Sequence, residues 1–147
     1  MQAHETRFNS LFHPQWTEAM TLQISRSKTQ YFRWHDAGDL QNLQHLLNIV
    51  KIAEALPLVK FWIPTREKKI VHQFNDTFGA FPDNLCVRVS STMIDGDLPQ
   101  GFATTSSVHE IDAAKGTTCE AYKNKNKCGD CRKCWDNTVA NVSYKKH

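Results

Sequence analysis

The 147-residue sequence has no cysteine before Cys86, no apolar stretch near its N-terminus, and no hydrophobic run approaching the ~20 residues of a membrane span. The first absence leaves no cysteine pair to staple the first half of the chain. The other two argue against a secretory signal and a membrane-spanning helix, so an intracellular protein is expected. Charge of one sign is also scarce: 18 Lys and Arg face 15 Asp and Glu, a formal net charge of +3. The six histidines other than His35 form no ligand-spaced set, and Ser90 and Ser91 have no identifiable partner base, so serine-nucleophile catalysis has no support. His35 reads as a core histidine or a donor to a cluster sulfide. At this length a core can be buried without disulfides. The chain reads as one domain over 1–147: a lead-in and helix over 1–28, a βαβαβ core over 29–108 and a cysteine-rich segment over 109–147.

Four of the five cysteines fall in the C-terminal segment. Cys128, Cys131 and Cys134 form C-x2-C-x2-C, and Cys119 stands upstream of that run with eight residues between. A structural zinc site usually takes two well-separated ligand pairs, each on its own knuckle. Three cysteines at successive three-residue steps plus one remote cysteine match the ligand run of iron–sulfur proteins better. The expected cofactor is a [4Fe-4S] cluster on Cys119, Cys128, Cys131 and Cys134, with zinc as the alternative and disulfides or free thiols behind both. Gly129 permits a tight ligand turn with amides free to face cluster sulfurs. Trp135, next to Cys134, is expected to shield the centre from water. Cys86, inside an apolar run, reads as a core residue.

The remaining pattern alternates. A stripe at Trp16, Met20 and Ile24 predicts a helix over 14–26, and the aromatic run 29–35 predicts a strand. Asp39 is placed as N-cap of a helix carrying Leu40, Leu43, Leu47 and Val50, ended by Pro57. The apolar run 58–63 reads as a buried strand, with Thr65 as the cap of a helix that stops before Gly79. Leu85–Val89 predicts a third strand, and 101–105 a fourth. Strand, helix, strand, helix, strand implies right-handed βαβ units. The fold class is therefore α/β: a small partial-barrel-like or open parallel sheet with a C-terminal cysteine-rich metal-binding loop. In such sheets the loops after the strands form the ligand-facing rim. His35, Asp36 and Asp39, then Arg66, then Ser90 and Ser91 fall there, and the metal centre is expected to face them. Arg66 reads as an ion-pair partner of Asp36 or Asp39, or as a binder of an anionic ligand.

The runs Phe32–Asp39, Val59–Arg66 and Asn84–Ser90, taken with the intervening helix, resemble the bacteriophage gene product 88 family over about residues 30–135. The resemblance implies a phage protein acting in the host cytoplasm. Longer members carry further cysteines in an N-terminal segment, and this chain matches a short form with the C-terminal set alone. Cluster-bearing βα units are also similar to radical S-adenosylmethionine enzymes, but that family's C-x3-C-x2-C loop follows the first strand and leaves one iron open. A radical-type enzyme is therefore the weakest reading.

A cluster with four protein ligands has no open iron for substrate and can still change its electron count. The first functional expectation is electron transfer or redox sensing. The basic residues from Lys115 to Lys146 would offset cluster charge or dock an acidic redox partner protein. The alternative is a zinc- or cluster-stapled module that binds nucleic acid or a host protein. Nucleic acid is the less favoured partner, because no interleaved aromatic and basic pattern accompanies the lysines. The chain is expected to be a monomer or a weak homodimer.

Overall fold

The computed structural model describes residues 13, 15–34, 39–111, 114–123, 125 and 127–146. The elements run α1 (Trp16–Ser27), β1 (Tyr31–Arg33), α2 (Leu43–Ala55), β2 (Lys60–Thr65), α3 (Lys68–Phe78), β3 (Leu85–Ser90), β4 (Thr105–His109), β5 (Thr117–Cys119) and β6 (Asn141–Lys145). Two 3-10 turns, Ala121–Lys123 and Lys133–Trp135, lie between β5 and β6. The six strands form one sheet in the order β1-β2-β3-β4-β6-β5, with every neighbouring pair parallel. The α/β class and the open parallel sheet expected from the sequence are present.

Each βα step has a local cause. In α2, Asn42 rather than Asp39 is the N-cap, its side chain accepting from the amide of His45 at 2.9 Å. Asp39 is committed elsewhere: Oδ1 accepts from the Thr65 hydroxyl at 2.5 Å and Oδ2 from the Arg66 amide at 2.9 Å. It ties the chain after β1 to the end of β2. Thr65 is likewise not the α3 cap. That position is Glu67, whose amide donates to the Thr65 hydroxyl at 3.0 Å. At the other end of α2, Asn84 Nδ2 donates to the carbonyls of Ala53, Leu56 and Val59, satisfying acceptors that a helix end exposes.

The two faces of the sheet are covered differently. Phe61 and Ile63 of β2, with Leu85, Val87 and Val89 of β3, pack into the main core under α1, α2 and α3. The alternate residue Trp62 belongs to a second cluster with Cys134 and Val142, flanked by Cys119, Trp135, Val139 and Tyr144. Successive side chains of a strand point to opposite faces. The helices therefore cover one face and the cysteine segment the other. Strand order accounts for this placement. Moving from β1 to β4 the chain steps in one direction, but from β5 to β6 it steps back. A right-handed crossover on a reversed step passes over the opposite face. Parallel neighbours usually take a helix as their crossover. Here residues 120–140 serve instead.

The C-terminal segment thus contributes two strands that the sequence reading did not predict, and β6 lies inside the sheet between β4 and β5. The fourth strand was expected over 101–105 and lies at Thr105–His109. Its early residues are polar and buried (Thr105, Ser106 and Ser107), held by side-chain bonds such as Thr105 Oγ1 to Asn141 Oδ1 at 2.8 Å and Asn141 Nδ2 to Ser107 Oγ at 3.0 Å. Hydrophobic periodicity gives no signal for a strand of this kind.

Candidate metal centre

The fifth strand ends on Cys119, half-buried and in register with Tyr144 of β6. After it the chain runs out to Cys128 and Cys131, both exposed, and returns to Cys134, buried in the second 3-10 turn. The Cys131 amide donates to the Cys128 carbonyl at 2.9 Å, closing a turn around Gly129, whose φ of +56° is the left-handed region that glycine enters without strain. All four cysteines line one cavity of about 510 Å³, together with Lys123, Lys127 and Trp135. No group of three or more His, Cys, Asp or Glu among the described residues stands close enough to hold a metal ion.

Beneath this loop lies Arg88, a residue to which the sequence reading gave no role. It is 0 % exposed, on the β3 face opposite the main core. Its Nε donates to the Cys134 carbonyl at 3.0 Å. Nη2 donates to the carbonyls of Lys133 and Asp136, and Nη1 to those of Thr105 and Val139. All five N–H groups of the guanidinium are used on main-chain carbonyls, four of them in the segment 133–139. The signal was available in Leu85-Cys-Val-Arg-Val. A charge inside a strand buried on both faces needs an assembled set of partners.

Burial pushes the Cys134 thiol up to about 11, while its bond with the Tyr144 hydroxyl (2.9 Å) and the Arg88 charge act in the opposite direction. Cys119 and Cys128 are close enough to raise it further. Tyr144 is also raised, chiefly by burial. Cys86 is fully buried, and burial again lifts its thiol above the ordinary value. It does not line the cavity.

Trp135 is half-buried and meets Trp62 and Tyr31 edge-on, its Nε1 donating to the Phe32 carbonyl at 3.1 Å. Arg132 lies over the Tyr31 ring at 4.7 Å and donates to the carbonyls of Gly129 and Cys131 at 2.7 and 2.8 Å. The loop is thereby held to β1 at one end and to β3 at the other.

The rim expectation divides. His35 and Asp36 lie outside the described residues. Asp39 meets Arg66 through the Arg66 main-chain amide, where a side-chain ion pair was expected, because the carboxylate is taken up by Thr65 and that amide. The Arg66 side chain instead lines a second cavity at the carboxyl ends of the strands, which shares Cys119, Cys128 and Cys134 with the first. The structure thus brings Arg66 and three of the four cysteines to one place. Arg33 and Trp62, missed in the sequence, line it too.

No helix among the described residues is long and apolar enough to cross a membrane. The family model described as Gene product 88 matches residues 1–137. No curated protein and no solved structure matches the chain.

Proposed function

The chain belongs to the Gene product 88 family, and we propose that it works in the host cytoplasm as an iron–sulfur protein, holding one [4Fe-4S] cluster on Cys119, Cys128, Cys131 and Cys134. The observation that carries this reading is the set of four cysteines around one cavity of about 510 Å³. The C-x2-C-x2-C run with one remote cysteine suits a cluster better than the two well-separated ligand pairs usual for structural zinc. When bound, such a cluster supplies reversible one-electron chemistry, used here for electron transfer or redox sensing.

The chain's own residues suit that task. Arg88 places a fixed positive charge under the main chain of Cys134 and favours thiolate there. A centre ligated by four thiolates is anionic, so this charge stabilises it. Trp135 lines the cavity and, packed against Trp62, excludes water from one wall, which influences potential. Lys123, Lys127, Arg132 and Lys133 line the cavity against Glu120 and Asp130, a modest basic excess fitted to an acidic partner protein. Serine replacement tests the assignment. Each of Cys119→Ser, Cys128→Ser, Cys131→Ser and Cys134→Ser is expected to lose most of the iron, whereas Cys86→Ser keeps it. Full iron in the Cys119 variant would overturn the four-cysteine set.

A further inference from the structure

The cavity at the carboxyl ends of the strands is about 650 Å³, within the size range of small-molecule sites. Arg33, Arg66 and Lys145 line it, and no Asp or Glu among the described residues does. The chain as a whole is nearly balanced in charge, so three cations without a carboxylate mark a local selection. Hydroxyls face the same space: Ser90 and Ser106 line it and hydrogen-bond to each other at 2.9 Å. Trp62 also lines it, with the Arg33 guanidinium over its ring at 4.9 Å.

Cationic residues therefore dominate the charged lining: Arg33, Arg66 and Lys145. We propose that this cavity is a binding site for a small organic anion bearing phosphate or carboxylate groups, held by Arg33 and Arg66. Position agrees with chemistry, since ligands of open parallel sheets bind beyond the carboxyl ends of the strands near the point where strand order reverses. That reversal is the step from β5 back to β6. Because Cys119, Cys128 and Cys134 form part of the same wall, an anion bound there adjoins the cysteine centre. The site goes beyond the cluster proposal and does not depend on it.

The test is calorimetric titration of the full chain at low salt with ADP and, separately, citrate. Binding of one mole of either probe per chain is expected, and the probe that binds distinguishes a phosphate from a carboxylate ligand. Arg33→Gln with Arg66→Gln should weaken it about tenfold or more, since each removes a charge-assisted contact. Lys51→Gln, exposed on α2 under the other face, should leave it unchanged. Failure of both probes to bind at millimolar concentration, or unaltered affinity in the double arginine variant, would overturn the site. Iron assayed on the same sample keeps the two proposals apart: binding without iron leaves this one standing, and iron without binding removes it alone.

Discussion

Arg88 is the residue on which most of the cysteine segment depends. Its guanidinium satisfies the carbonyls of Cys134 and Val139, for which no other donor is found among the described residues, and shares those of Lys133 and Asp136 with main-chain amides, so Arg88→Met would leave buried acceptors unpaired at about 1–3 kcal/mol each. A loss of at least about 3 kcal/mol is expected in urea unfolding, at the severe end for a single substitution. Arg88→Lys should fail to rescue it, since an ammonium has three donors and no planar fork. Cys86 gives a second check. Its folded pKa lies above the ordinary 9.0 because of burial. Above pH 9 the unfolded chain therefore binds fewer protons than the folded one, and stability falls as pH rises. Cys86→Ala, compared with the parent between pH 8 and 10.5, should show a shallower alkaline decline. An identical slope would mean that Cys86 contributes nothing to it.

Elements were legible where apolar spacing alone decides them. The stripes of α1 and α2 and the buried runs of β2 and β3 lie close to where periodicity put them, with Ile24, Leu46, Ile49, Phe61 and Val87 all in the core. Caps were less legible, because a carboxylate such as Asp39 has competing partners 26 and 27 residues away in sequence. The strands β4, β5 and β6 were displaced or missed because polar pairs hold them, as with Thr105 and Asn141. For the site, the cysteine spacing was visible, whereas the covering of one sheet face by that segment follows from strand order, which no local pattern encodes. Asn84 tests the element-level account. Its amide closes the end of α2 on three carbonyls. Asn84→Ala should cost about 1–2 kcal/mol in urea unfolding, and Asn84→Asp more, because a carboxylate would face the same oxygens.

At the scale of the whole molecule, helices and cysteine segment occupy opposite faces of one parallel sheet, and the basic cavity opens on the side away from the main core. The edges of the sheet are β1 and β5, three residues each. Edges that short offer few unpaired groups for strand addition, so sedimentation at micromolar concentration is expected to give a monomer. A stable dimer would point to a surface other than these edges. The central claim is that the cysteine segment is built around a redox cluster. Iron and acid-labile sulfide should therefore be counted on anaerobically purified protein, with absorption and paramagnetic resonance spectra recorded before and after reduction. The account predicts four irons and four sulfides per chain with a reversible spectral change. One zinc per chain, no sulfide and no colour would contradict it.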